Sequence, residues 1–214
     1  MAGRTARAER GADTRQVMLD TAERLFAVHG VHAVSTRKIS EESGQANNAA
    51  VGYHFGGKPD LIRAIVREHA DRIEAIRSAL VADAAGSGDV RAWIGCLVRP
   101  FTEHLDSLGA PTWYARFHIQ VAADPALRAL SQEESLTSPS LRLLIAQLTQ
   151  TLPGPPPEVR HERLTMARHL IVNMCVERER ALADHTPVRQ PTWNALATTL
   201  TDAIAGLWQA PVTG

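Results

Sequence analysis

The stretch from residue 43 to residue 61, "SGQANNAAVGYHFGGKPDL", concentrates side chains that can bind nucleic acid. An asparagine amide can pair with the edge of an adenine in a DNA major groove. Tyrosine and histidine side chains can donate hydrogen bonds to phosphate oxygens. Four residues of the stretch are therefore candidates for DNA contact: Asn47, Asn48, Tyr53 and His54.

Lys58 adds a cation directly after the two glycines of this stretch, in the first turn of a long predicted helix. A cation at a helix N-terminus opposes the helix dipole and costs about 0.3–1 kcal/mol. A bound phosphate would reverse this cost, because the lysine and the free backbone N–H groups would then share one anion. The sequence therefore predicts that Lys58 contacts a DNA phosphate.

The elements that position these side chains are predicted to be helices. In the N-terminal part, apolar residues recur at helical spacing, and Gly30 and Gly44 stand where helices end. The predicted helices there span residues 15–29, 36–43, 48–54 and 59–84. The second and third, joined by the turn "SGQAN", form a helix-turn-helix pattern in which Val51 and Phe55 dock the third helix.

The rest of the chain also shows helical spacing, and no convincing alternation of apolar and polar residues indicates a strand. The fold class is therefore predicted to be all-α, with an N-terminal three-helix helix-turn-helix domain and a C-terminal helical domain. The further predicted helices span residues 90–108, the segment between Pro111 and Pro125, residues 141–152, residues 158–183 and residues 192–208.

Composition excludes several classes of protein. The 23 basic and 23 acidic residues cancel, which argues against a histone-like coat of positive charge but not against a local basic patch. No apolar stretch approaches membrane-spanning length, and the N-terminus lacks the apolar core of a signal peptide. We therefore expect a cytoplasmic protein with no membrane partner.

The motifs of common enzymes are incomplete. "HERLTMARH" begins like a zinc protease motif, but Thr165 stands where the second histidine ligand is needed. "GSGDVR" lacks the third glycine of a dinucleotide-binding fingerprint. Cys96 and Cys175 lie in separate apolar stretches without metal-ligand spacing, which indicates reduced packing residues. We expect no enzyme activity, no cofactor and no metal.

Residues 15–66 resemble the DNA-binding domain of the TetR family of bacterial transcriptional regulators. The resemblance is carried by "LDTAERLFAVHGVHAVSTRKISEESG" and "VGYHFGGKPDLIRAIV". Its specific features are F-x-x-x-G, Ser-Thr followed by Ile39, then Gly44, then Tyr-His-Phe followed by Lys58 and Leu61. The remaining residues resemble the family only in length and helical character. The turn is one residue longer than the commonest family form, which leaves open whether Gln45, Ala46, Asn47 or Asn48 reaches a base.

The resemblance implies a ligand-responsive regulator, by default a repressor, that binds palindromic operator DNA as a homodimer. Each subunit would place its third helix in a major groove, with half-sites about 34–36 Å apart. Thr36, Arg37 and Lys38, which begin the second helix, would also contact DNA. A small lipophilic or aromatic effector would release the DNA. The alternative is a DNA-binding protein that needs no effector.

The resemblance also implies a domain division. Residues 1–14 would be a flexible basic arm, either a solvated end or a segment that follows the DNA. Residues 15–58 would be the DNA-binding domain, and residues 59–214 the effector-binding and dimerisation domain. The effect of the ligand would be carried by the helix over residues 59–84.

Two sets of side chains are assigned to the C-terminal domain. Helices 158–184 and 191–208 would form the dimer interface, since 191–208 is too apolar to be covered on one side only; the alternative is packing in the monomer core. The interface candidates are Leu170, Met174, Trp193, Leu196, Leu200, Ile204 and Leu207. The effector candidates, which could equally be plain core, are Phe101, Trp113, Phe117, His118, Val121, Met166 and His169.

Overall fold

The computed structural model of the chain describes residues 2–45, 47, 49–130, 138–152 and 154–212. Regular secondary structure in these ranges is helical, and no strand occurs within them. The predicted all-α class, with an N-terminal helix-turn-helix domain and a C-terminal helical domain, is confirmed. The helices are α1 (Ala2–His29), α2 (Thr36–Glu42), α3 (Ala50–Phe55), α4 (Lys58–Asp83), α5 (Val90–Ser107), α6 (Tyr114–Ala123), α7 (Pro139–Thr151), α8 (Pro157–Ala183) and α9 (Trp193–Gln209).

The first helix begins earlier than predicted and ends where predicted. α1 starts at Ala2 rather than near Arg15, so the segment predicted as a flexible arm continues the helix. At the other end, Gly30 has a φ of +94°, and its N–H donates to the Phe26 carbonyl oxygen at 2.9 Å. Glycine adopts this left-handed conformation without steric cost, which explains the chain reversal at this residue.

The chain divides into two compact units, and α4 and α6 each contribute residues to both. The predicted division after residue 58 stays a prediction, and its boundaries differ from those of the units. Unit 1 comprises Met1–His69 and Arg116–Gln132, and unit 2 comprises Ala70–Ala115 and Glu133–Gly214.

Unit 1 is organised around the apolar face of α1. This face packs with Ile39 of α2, Val51 of α3 and Leu61 of α4, all of them fully buried. The start of α2 is capped by Ser35, whose hydroxyl oxygen accepts from the Lys38 N–H at 3.2 Å. Such a cap satisfies one of the N–H groups that a helix start leaves unpaired. The fully buried residues of the α1 face are Met18, Ala22, Leu25 and Phe26.

α9 supplies much of the core of unit 2, where it packs against α5. Trp193, Leu196, Leu200 and Ile204 are each at most 5% exposed within the single chain. These four residues were predicted for a dimer interface, but each is buried within a single chain. For them the alternative applies, because α5 of the same chain already covers the apolar face of α9.

Two buried arginines of α8 hold the two ends of α9. The Arg163 guanidinium donates to the Trp208 carbonyl oxygen at 2.6 Å. The Arg178 guanidinium donates to the Pro191 carbonyl oxygen at 3.2 Å and lies 4.9 Å from the centroid of the Trp193 ring. The last carbonyl groups of a helix have no partner within the helix, so Arg163 stabilises the C-terminal end of α9. Arg178 binds the segment that leads into the N-terminal end of α9.

Candidate nucleic-acid interface

The turn before the predicted recognition helix, α3, is closed by hydrogen bonds to its own backbone. Gly44 has a φ of +73°, and the Gln45 N–H donates to the Ser40 carbonyl oxygen at 3.0 Å. The Asn47 side-chain oxygen accepts from the Ala49 N–H at 2.9 Å. This Asx turn directs the chain into the helix, so α3 begins at Ala50 rather than at residue 48 as predicted.

Of the two asparagines predicted to read bases, the structure describes only Asn47. The Asn47 side-chain oxygen is engaged in the turn, whereas a bidentate pair with adenine needs both the oxygen and the NH2 group. The oxygen keeps a second lone pair for a base, so the base contact of Asn47 stays a prediction. Asn48 lies outside the described residues.

α3 presents its aromatic side chains on the face opposite its docking residues. Val51 is fully buried, whereas Tyr53 is 83% exposed and His54 is partly exposed. The two exposed rings meet edge to face with centroids 5.0 Å apart. Phe55, predicted to dock with Val51, is partly exposed. The exposure of Tyr53 and His54 is the placement that the predicted phosphate contact requires.

The cations of α2 are paired with carboxylates on their own surface. Arg37 Nε lies 2.7 Å from Glu41, and Lys38 Nζ lies 3.8 Å from Glu42. Glu42 also accepts from Arg24 at 2.7 Å, and this hydrogen bond lowers the pKa of Glu42. Exposed ion pairs contribute only about 0–1 kcal/mol. A phosphate can therefore replace either carboxylate, and the three cations Arg24, Arg37 and Lys38 outnumber the two carboxylates, Glu41 and Glu42, by one.

Thr36, the third α2 residue assigned to DNA contact, is the first residue of that helix. It is partly exposed, while the following Arg37 is fully exposed. Its place beside the Ser35 cap puts it at the same end of α2 as the paired cations. The structure thus groups the three predicted α2 residues on one turn.

Lys58 is used inside the protein, which differs from its predicted role. Its ammonium donates to the Val34 carbonyl oxygen at 2.7 Å and lies 5.8 Å from the centroid of the Phe26 ring. The side chain is partly buried, and this burial lowers the pKa of Lys58. The cation at the start of α4 is therefore stabilised by a carbonyl group and an aromatic ring rather than by an anion at the helix end.

Two residues of unit 1, Arg15 and Gln120, contact the helix-turn-helix or the turn before it, and the sequence does not indicate these contacts. The Arg15 guanidinium lies 4.7 Å from the centroid of the Phe55 ring, so the first residue of the predicted DNA-binding domain reaches α3. Gln120 of α6 accepts a hydrogen bond from the Val31 N–H at 2.9 Å. No sequence signal marks Gln120, because 89 positions separate it from Val31.

The predicted effector-binding residues are divided among three places. Phe117 and Val121 are fully buried in unit 1, where the Phe117 ring centroid lies 6.0 Å from that of Phe26. Phe101 is buried in unit 2, with its ring centroid 5.8 Å from that of Tyr114. Two further effector candidates, Trp113 and His118, are partly exposed.

The remaining effector candidates, Met166 and His169, line an open groove of about 480 Å³ on unit 2. α8 and α9 form this groove, in which Met166 is 48% exposed and Met174 is 43% exposed. Met166 and His169 therefore share a surface with residues predicted for the dimer interface. The other residues that line the groove are Leu170, Asn173, Met174 and Leu207.

Within the ranges that the structure describes, His, Cys, Asp and Glu form no group suited to hold a metal ion. None of the helices in those ranges has the length and apolarity needed to cross a bilayer. Cys96 and Cys175 are both buried outside any disulfide, and burial raises the pKa of each thiol, which suits packing residues.

Residues 18–65, from α1 to α4, match the family model described as bacterial regulatory proteins of the tetR family. Over this segment the chain is similar to the TetR family of bacterial regulators. The family and the similar proteins are transcriptional regulators rather than enzymes.

Curated relatives are similar over part of the chain. The HTH-type transcriptional repressor AcnR of Corynebacterium glutamicum is 34% identical over 73 residues, which are 34% of this chain and 38% of that protein. AcnR of Corynebacterium efficiens is 29% identical over 143 residues, 66% of this chain and 69% of that protein. The chain thus spans little more than a third of the first relative and about two thirds of the second.

Solved structures share the fold over nearly the whole chain. The fatty acid degradation regulator FadR from Bacillus halodurans superposes with a TM-score of 0.66 at 16% identity, covering 90% of this chain and 95% of that one. Mycobacterium smegmatis AmtR gives a TM-score of 0.61 at 19% identity, covering 93% and 87%. At these identities the likeness concerns the fold alone.

We expect Lys58→Met to destabilise the protein without DNA, because it removes the donor to the buried Val34 carbonyl group while keeping the apolar stem. The expected loss in the free energy of unfolding is about 1–3 kcal/mol, measured by urea denaturation. The slope of log affinity against log salt should stay unchanged. Lys38→Met, which removes an exposed ammonium, should leave stability nearly unchanged. A salt slope lowered by about one unit in Lys58→Met would instead reveal a phosphate contact.

Proposed function

We propose that the chain is a transcriptional repressor that binds a palindromic operator as a homodimer. The observation that carries the proposal is the helix-turn-helix of unit 1, whose α3 exposes Tyr53 and His54 within the segment that matches the TetR family. The name of the AcnR relatives, HTH-type transcriptional repressor, supports repression rather than activation. Occupation of a promoter by a dimer is sufficient for repression.

The contacts to DNA divide into positioning and reading. Tyr53, His54 and the start of α2 meet phosphates and fix the register of α3 in the major groove, as in other helix-turn-helix proteins. Gly52 precedes Tyr53, and a side chain placed there would meet nothing within 4 Å. Its missing side chain lets the backbone of α3 come close to the DNA. Base reading falls to the turn residues and to the start of α3.

We expect purified protein to retain DNA fragments that share one palindromic sequence, identified by sequencing the retained pool. On that operator, Tyr53→Ala should raise the Kd about ten-fold, or 1.4 kcal/mol. The loss should be equal on single-base operator variants, because phosphate contacts carry no sequence information. Leu143→Ala, at a residue that is 50% exposed in unit 2, serves as the control and should not change the Kd. A retained pool without a shared sequence would contradict the proposed function.

The homodimer is supported by the groove on α8 and α9. Met166, Leu170 and Met174 follow one another at intervals of four residues, and Leu207 completes an almost wholly apolar surface. Exposed apolar side chains that form one contiguous patch are a candidate interaction surface. A two-fold axis would bring this surface against the same surface of a second copy. The dimer interface is thus assigned mainly to α8, with Leu207 as the contribution of α9.

We expect Leu170→Glu to produce a monomer at micromolar concentration, because it places a charge in the apolar groove. Light scattering measures the mass, and circular dichroism checks that the variant is folded. Leu143→Glu is the matched control, since Leu143 is a similarly exposed leucine on α7, and this variant should remain dimeric. Leu200→Glu should unfold unit 2 instead, because Leu200 is buried within one chain. A folded and dimeric Leu170→Glu protein would place the interface elsewhere.

The proposal includes an apolar or aromatic effector that weakens DNA binding. The multidrug binding protein EbrR, solved in complex with ethidium, has this fold with a TM-score of 0.53 at 21% identity, so the fold can accept an aromatic ligand. α4, with 26 residues, runs about 39 Å from the end of the DNA-reading motif into unit 2 and could carry the effect. The packing of Phe101 against Tyr114 favours the alternative, in which operator binding needs no effector.

We expect a screen of lipophilic and aromatic compounds for thermal stabilisation to yield a ligand that weakens operator binding. A ligand that lowers operator affinity 5- to 150-fold has a coupling free energy of about 1–3 kcal/mol. Saturating operator must then weaken the binding of that ligand by the same factor, which isothermal titration can measure. If every ligand found binds with the same affinity in the presence and absence of operator, the result favours the effector-independent alternative.

A further inference from the structure

The turn between α1 and α2, residues 30–35, is held by two side chains from other helices. Gln120 of α6 accepts from the Val31 N–H at 2.9 Å, and Lys58 of α4 donates to the Val34 carbonyl oxygen at 2.7 Å. The Gln120 amide also donates to the Phe26 carbonyl oxygen at 2.9 Å. A single amide group thus joins the last turn of α1 to the first residue after Gly30.

Gln120 belongs to a face of α6 that docks as a whole. Phe117, Gln120 and Asp124 follow one another at intervals of three and four residues, so they lie on one side of the helix. The Phe117 ring stacks on that of Phe26 with an interplanar angle of 22°. Asp124 pairs with His32, and this hydrogen bond lowers the pKa of Asp124. The docked face lies entirely in unit 1.

The chemistry at position 120 requires an amide. One atom must accept from the Val31 N–H while its neighbour donates to the Phe26 carbonyl oxygen, and among side chains of this length only glutamine provides both. A glutamate would place a second oxygen against the Phe26 carbonyl oxygen. A methionine has similar size but could satisfy neither backbone group. The bonds are partly buried, so water replaces them poorly.

We propose that Gln120 is a positioning residue for operator recognition, an inference that rests on the proposed DNA-binding function. Gln120 fixes the turn from which α2 starts, and α2 supports α3 against the DNA. Recognition of a specific sequence needs α3 in one register, whereas binding to non-specific DNA depends on charge and tolerates many geometries. The preference for operator over other DNA therefore depends on a residue of α6, outside the helix-turn-helix.

The test compares Gln120→Met and Gln120→Glu with the wild type on two duplexes of equal length, the selected operator and a scrambled sequence, at one salt concentration. The matched controls are Gln150→Met and Gln150→Glu at an exposed glutamine of α7. Titration at high concentration gives the active fraction, so that each Kd refers to folded protein. We expect Gln120→Met to weaken operator binding about ten-fold, or 1.4 kcal/mol, while affinity for the scrambled duplex changes less than about three-fold.

Loss of affinity by equal factors on both duplexes would overturn the inference, because a merely destabilised protein has no altered preference. Gln120→Glu keeps the acceptor for Val31 and provides the second variant if Gln120→Met does not fold. Faster hydrogen exchange of the Val31 amide in Gln120→Met, which removes its acceptor, supports the inference, and unchanged exchange in that variant removes its geometric basis. A wild-type protein that does not distinguish the two duplexes would instead overturn the proposed function.

Discussion

The DNA-reading surface depends on a constraint of length, because α3 has only six residues. A helix this short has no stability of its own in water, so its neighbours must impose its position. Val51 is buried beneath it, Asn47 closes the turn before it, and Lys58 and Gln120 fix the turn from which its supporting helix starts. Because these contacts carry the stability, the outer face of α3 can hold residues such as Tyr53 that suit recognition rather than packing.

The same constraint explains why several polar residues typical of DNA contact are engaged within the protein. The buried Val34 carbonyl group takes Lys58 as its partner, and the exposed Ala49 N–H is paired with Asn47 in a local turn. On α2, Arg37 pairs with a carboxylate four residues away. DNA binding at α2 would therefore exchange one anion for another, and the gain is smaller than for an unpaired cation.

Local patterns were sufficient to predict the helices but not their partners. The ranges predicted for α4 and α9, 59–84 and 192–208, differ by one residue at each end from Lys58–Asp83 and Trp193–Gln209, because apolar spacing and terminating residues are local signals. Spacing identifies an apolar face without naming what covers it, so Leu200 could be assigned to a second subunit although α5 buries it. The bond between Gln120 and Val31 could not be predicted, since it joins parts of the chain that are 89 positions apart.

The division of apolar surface on α8 and α9 also bears on how the proposed dimer works. The large side chains of α9 are mostly buried in the core of unit 2. Its exposed residues include the small Ala203 and Gly206. The dimer interface then depends on the stripe of Met166, Leu170 and Met174 along α8, which two copies can bring into close contact because the neighbouring α9 surface is small. An operator that binds two subunits favours their association by mass action. With so narrow an apolar stripe, dimerisation and operator binding become one linked equilibrium rather than two successive steps.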